Sequence, residues 1–204
     1  MKHAFFTQLE TFRHIYIDMP GFGNSTCNMR LTTEDYANIL ESFITMIDVS
    51  KQVILGHSFG GKVATLLNPE LLVLVGSAGI LVPKPFKVRA KIFLFKLLKF
   101  SGLSTLRRFF VAPDARGLSE PMYETFKQVV NEDFADKFAA FKGEALLCWG
   151  RQDTATPLWT AEKILELIPR SHLVEFDGDH YFFLEQGASV AKEIEKTVLK
   201  SLEH

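Results

Sequence analysis

Residues 52–61 read QVILGHSFGG, and this stretch decides the fold. The first four residues are typical of a buried strand, and glycines then allow a sharp turn at Ser58 into a helix that Pro69 prevents from continuing. A strand that turns into a helix at a serine is the setting in which the pattern GxSxG indicates a nucleophile. The competing interpretation, a glycine-rich loop with a helix-capping serine, accounts for fewer of these features.

The chain on either side alternates short strand-like runs with helical patterns. This alternation predicts an α/β fold with a mostly parallel sheet flanked by helices. The predicted strands are residues 14–18 (HIYID), 52–55, 71–75, 145–149 and 172–176. The predicted helices include ones that start at Thr32 or Thr33, near Pro157 and near Ala188.

Residues 83–141 show no strand alternation and predict a helical lid inserted after the third buried strand. The core is then residues 1–82 and 142–201, and residues 202–204 resemble the start of an expression tag. The first part of the lid is basic and contains no acidic residue, a pattern that favours a solvated helix face over a patch for anionic substrates. Its basic residues are Lys84, Lys87, Arg89, Lys91, Lys96, Lys99, Arg107 and Arg108.

Composition excludes several classes of function. The 204 residues carry a net charge of -1, so no basic field indicates a nucleic-acid partner. Two cysteines do not make a disulfide framework and fit the cytoplasm, and no run of 18 apolar residues predicts stable membrane insertion. The expected partner is a small-molecule substrate, and a homodimer is left open.

A serine nucleophile needs a base and a group that orients the base. His180 follows the last predicted strand and Asp153 follows the strand before it, which brings both to the sheet edge where Ser58 is expected. Asp177 and Asp179 are rivals for the acid, but their proximity to His180 suits turns better. The other histidines, which are weaker candidates for the base, are His3, His14, His57, His172 and His204.

Four motifs together resemble the α/β-hydrolase superfamily, and within it the meta-cleavage product hydrolases, which cleave carbon–carbon bonds in 2-hydroxy-6-oxo-dienoates. The motifs are DMPGFGNS, GHSFGG, WGRQDTATP and GDHYFFLEQ, and the resemblance spans nearly the whole chain. It implies a serine hydrolase that acts on a carboxylic ester or on such a carbon–carbon bond through Ser58, His180 and Asp153, without a metal or organic cofactor. Serine at position 58 argues against the haloalkane dehalogenase and epoxide hydrolase branches, whereas esterases, proline iminopeptidases and haloperoxidase-like members stay open.

The resemblance also implies that N-terminal strands are missing. Family members have a His-Gly loop upstream that supplies one of two backbone donors to the oxyanion hole, so only the amide of Phe59 can be assigned here. The strand before that loop would lie between residues 14–18 and 52–55. Its absence predicts that these two strands pair directly, that another molecule fills the edge, or that Met1 is an internal start of a longer natural protein, which we favour.

Two other functions stay open. The first, which follows from the incomplete oxyanion hole, is a catalytically impaired hydrolase fold that acts as a binding or interaction module. The second is an acyltransferase, because the same acyl-enzyme serves hydrolysis and transfer. The sequence assigns no substrate-binding residue.

Overall fold

The computed structural model describes residues 1–83 and 119–202, and these build one parallel sheet flanked by helices. The four strands, which lie in the order of the chain, are β1 (Val53–His57), β2 (Leu71–Val75), β3 (Glu144–Gly150) and β4 (Ser171–Phe176). Each lies within two residues of its predicted position, and all three pairings are parallel. The predicted α/β architecture is therefore confirmed.

Seven helices are described around the sheet. They are α1 (Lys2–Phe5), α2 (Thr33–Met46), α3 (Phe59–Leu66), α4 (Glu120–Val129), α5 (Ala135–Ala140), α6 (Leu158–Leu167) and α7 (Gly187–Leu202). Of the two predicted caps of α2, Thr32 is the one observed: its hydroxyl accepts from the amide of Asp35 at 3.1 Å, and the Asp35 carboxylate accepts from the amide of Thr32 at 2.8 Å. None of the helices in this part of the chain has the length and hydropathy that crossing a bilayer requires.

Alternate side chains of the central strands enter two separate cores. Val73 and Val75 of β2 pack in one cluster with Val190 and Ile194 of α7. Leu72 and Leu74 pack on the other face, in a cluster that includes residues of α5 and α6. Both faces of β2 and β3 are thus covered, which explains why these strands are continuous apolar runs.

Of the predicted lid, residue 83 and residues 119–141 lie within the described part of the chain. The basic residues from Lys84 to Arg108 fall outside this part, and so do residues 203 and 204. Phe134 and Phe138 are almost fully buried against the central strands in the same cluster as Trp149. The segment from Phe134 to Phe141 therefore packs with the core.

Residues 14–18 do not form a strand, and this prediction was wrong. Ile15, Tyr16 and Ile17 remain 38–39% exposed. Within the described ranges their backbone groups make no hydrogen bond, and β1 pairs only with β2. β-branched and aromatic residues favour a strand only where a neighbouring strand supplies hydrogen bonds, so direct pairing of residues 14–18 with β1 is not observed.

A buried lysine connects α3 to the last residue of α4 and to the loop that follows it. Lys62 is 1% exposed, and its ammonium donates to the carbonyl oxygens of Val129 and Glu132 at 2.8 and 2.9 Å and to the Glu132 carboxylate at 3.1 Å. The ammonium also lies 5.1 Å from the centroid of the Phe134 ring. Burial lowers the pKa of Lys62, and the contact with Glu132 opposes this shift. The helix that follows Ser58 is thereby fixed to residues far along the chain.

We predict that Lys62→Met lowers the free energy of unfolding by about 3 kcal/mol, because two carbonyls and a carboxylate lose their donor. The matched control is Lys51→Met, which removes a partly exposed ion pair with Glu41 and should cost no more than about 1 kcal/mol. Urea titration of both variants measures the difference. Equal stability of the two variants would contradict the structural role of Lys62.

Candidate active site

Ser58 lies at the sharp turn between β1 and α3, as GxSxG predicts. Its backbone has φ 52° and ψ -119°, a conformation that non-glycine residues rarely adopt. A Cβ atom on Gly56 would lie 2.3 Å from the carbonyl oxygen of Gly60, so only glycine fits at this position. The turn presents the serine at the carboxyl end of β1, where ligands bind in open parallel sheets.

His180 and Asp153 meet at the same edge of the sheet. Asp153 follows β3 and His180 follows β4, and the imidazole Nδ1 lies 2.7 Å from Asp153 Oδ2. The Asp153 side chain is fully buried and the His180 side chain is 13% exposed. Because a carboxylate accepts, this contact places the Nδ1 proton on the imidazole and leaves Nε2 free to act as a base.

Thr156 holds the carboxylate of Asp153 and was not identified from the sequence. The Thr156 hydroxyl donates to Oδ2 and its amide to Oδ1, each at 2.8 Å, and the amide of Ala155 donates to Oδ1 at 2.8 Å. Burial alone would raise the pKa of Asp153, but the hydrogen bonds from His180 and Thr156 outweigh it and lower this pKa. The sequence offered one signal for this contact, since Asp153 and Thr156 lie three residues apart after a strand, a spacing at which an aspartate can accept hydrogen bonds within a turn.

Ser58 and His180 line one cavity of about 700 Å³. Its other lining residues are mostly apolar and include Ile17, Phe22 and Phe43. In the described part of the chain, no hydrogen bond joins the Ser58 hydroxyl to His180. Catalytic hydrogen bonds are often longer in a free enzyme than in its complex with substrate, and both groups line the same cavity.

The rival acids have other partners. The Asp177 carboxylate accepts from Arg151 at 2.7 Å, and the Asp179 carboxylate accepts from the backbone amide of Tyr181 at 2.8 Å. Among the rival bases, His14 contacts the Tyr16 hydroxyl and the Leu9 carbonyl. Unlike His14, His57 lies beside the predicted base, with its ring centroid 4.5 Å from that of His180.

Comparison with known sequences assigns the family. Residues 3–193 match the sequence profile of the alpha/beta hydrolase family. The chain belongs to this family. The α/β-hydrolase fold and the superfamily that the four motifs indicated are thereby confirmed.

One curated relative and two solved structures are similar to this α/β hydrolase. A 2-hydroxy-6-oxononadienedioate/2-hydroxy-6-oxononatrienedioate hydrolase of Escherichia coli is 27% identical in an alignment that covers 83% of this chain and 70% of the relative. An esterase of Exiguobacterium antarcticum superimposes with a TM-score of 0.73 at 22% identity, covering 97% of this chain and 85% of the esterase. A lipase-esterase related protein of Clostridium acetobutylicum gives 0.72 at 19% identity, covering 96% and 88%. The two structural matches show the fold, and the family match together with the Escherichia coli relative supports hydrolase activity of the α/β-hydrolase type.

His57 gives this α/β hydrolase a pH-dependent stability. Burial, followed by the charge of His180, lowers the pKa of His57 from 6.5 to about 4. Between these values the unfolded chain binds the proton and the folded chain does not, so stability falls as the pH falls.

We predict that acidification from pH 6.5 to 4 lowers the free energy of unfolding by up to about 3 kcal/mol more in the parent than in His57→Gln, which cannot titrate. Urea titrations at several pH values measure this difference, and the shared contribution of Asp153 cancels between the two proteins. Parallel stability curves for the two proteins would contradict the lowered pKa.

Proposed function

We propose that this chain is a serine hydrolase that acts on a carbonyl compound, either a carboxylic ester or the carbon–carbon bond of a 2-hydroxy-6-oxo-dienoate. Ser58 is the nucleophile, His180 the general base and Asp153 the group that orients the base. The observation that carries the proposal is the 2.7 Å contact between His180 Nδ1 and Asp153 Oδ2, beside a cavity that Ser58 also lines.

The arrangement of the three groups supports covalent catalysis. His180 Nε2 takes the proton of the Ser58 hydroxyl while the serine oxygen bonds to the carbonyl carbon, and Asp153 stabilises the imidazolium that forms. Collapse of the tetrahedral intermediate breaks the bond to the leaving group, which receives the proton from His180. Water then attacks the acyl-enzyme by the same route and releases the acid.

The oxyanion needs backbone donors. Phe59 is the first residue of α3, and the first amides of a helix have no partner within the helix. Its amide therefore fits the oxyanion that forms beside Ser58. A second donor has no assignment, and losing one donor typically costs about 2.7 to 4 kcal/mol of transition-state stabilisation.

The cavity supports a substrate with a large apolar part. Phe59 directly follows Ser58, and Phe22 lies with its ring centroid 6.1 Å from that of Phe59, so both line the cavity beside the serine. Apolar walls favour hydrocarbon or aryl groups over charged ones. Both an aryl ester and a dienoate with an aryl substituent meet this requirement. Esters that differ in acyl length, tested beside dienoates, separate the two bond types.

We predict that a fluorophosphonate labels the parent at Ser58, because only an activated serine displaces the fluoride. Ser58→Ala should abolish the label and lower kcat for p-nitrophenyl esters by at least about 1000-fold. Asp153→Asn should keep the serine but lower kcat by about 10⁴-fold, because an amide favours the wrong imidazole tautomer. Mass spectrometry identifies the labelled residue, and initial rates give kcat.

Three outcomes of these labelling and hydrolysis experiments distinguish the candidate functions. Equal ester hydrolysis by the parent and Ser58→Ala, above the background rate, would remove Ser58 from the mechanism. A folded parent that neither labels nor hydrolyses would favour the binding module. Product esters formed from an added alcohol, instead of free acid, would indicate acyl transfer.

A further inference from the structure

His57 makes a direct contact with the main chain of the proposed base. Its Nε2 lies 3.0 Å from the carbonyl oxygen of His180. A carbonyl oxygen only accepts, so Nε2 carries the proton and donates it in this contact. His57 immediately precedes Ser58, and the contact therefore connects the nucleophile's turn to the loop that carries the base.

His180 is held at two points that control different movements. The contact of Nδ1 with Asp153 Oδ2 fixes the rotation of the imidazole ring. The His180 carbonyl oxygen, which accepts from His57, belongs to the loop after β4. This hydrogen bond therefore fixes the position of the main chain that carries the imidazole. Among the residues that the structure describes, no other group donates to this carbonyl.

We propose that His57 is a positioning residue, whose Nε2–H holds the main chain of His180 so that the imidazole stays within reach of Ser58. The inference rests on the proposed function, since it concerns the same base and nucleophile. Loss of the hydrogen bond leaves a carbonyl without its donor and lets the loop move away from β1. The distance between base and nucleophile then depends on the Asp153 contact alone.

The charge state of His57 suits this task. Its pKa is lowered to about 4, first by burial and then by the charge of His180, so the ring is neutral near pH 7. His180 becomes positively charged when it accepts the serine proton. A second cation with its ring 4.5 Å away would oppose that step, whereas a neutral donor does not.

A purely structural role for His57 gives a different expectation. Its ring also packs 4.8 Å from the Phe183 centroid and 5.5 Å from that of Tyr181, so it could act only by filling space. Phenylalanine keeps the ring and removes the donor. Glutamine keeps a donor at a similar reach and removes the ring. Asparagine carries the same amide on a shorter stem that does not reach the carbonyl.

The test compares His57→Phe, His57→Gln and His57→Asn with the parent. We expect fluorophosphonate labelling to be about tenfold slower in His57→Phe and His57→Asn, and close to the parent rate in His57→Gln. The second readout is the downfield proton resonance of His180 Nδ1–H in NMR spectra, which reports the contact with Asp153 without any catalysis. This resonance should persist in His57→Gln and exchange faster in the other two variants.

Each result decides the proposal. Parent-like labelling and an unchanged resonance in His57→Phe or His57→Asn would overturn it, and so would equal impairment of all three variants. If His57→Phe does not fold, comparing His57→Gln with His57→Asn still distinguishes the effect of the hydrogen-bond donor from the effect of ring packing. If the parent does not label, the proposed function fails, and the resonance alone still decides whether His57 positions His180.

Discussion

The hydrogen bond between His180 Nδ1 and Asp153 Oδ2 is the interaction on which the site depends. Parallel strands end at a common edge, so the loops after β3 and β4 emerge side by side there. The bond joins these loops at 2.7 Å, with the carboxylate fully buried. A buried carboxylate is costly unless it is fully hydrogen-bonded, and the donors from Ala155 and Thr156 meet that need.

Close backbone packing brings this pair beside β2. Gly76 follows β2 with φ 52°, and a Cβ atom there would lie 3.2 Å from both Asp153 Oδ2 and His180 Nδ1. The Thr156 hydroxyl lies 3.2 Å from the carbonyl oxygen of Gly76, so β2 and the loop after β3 are in contact. A glycine at this position therefore lets the acid and the base approach the strand next to β1.

Much of the core and of the candidate site could be predicted from the sequence, because the relevant signals are local. The apolar run of β2 and the glycines around Ser58 specify their conformations within a few residues, and chain position alone indicates His180 and Asp153. Residues 14–18 carry an equally clear strand pattern, yet a strand also needs a neighbour, which no local pattern reveals. The contact of His57 with His180 spans 123 residues and depends on the final packing of two loops.

The most direct test of the proposed triad is a crystal structure of the protein after reaction with a fluorophosphonate. We expect a covalent bond from Ser58 Oγ to phosphorus, a phosphoryl oxygen that accepts from the amide of Phe59, and His180 Nε2 within hydrogen-bonding distance of Ser58 Oγ. A modified residue other than Ser58 would contradict it. An imidazole that stays out of reach of the modified serine, with the Asp153 contact intact, would contradict it equally.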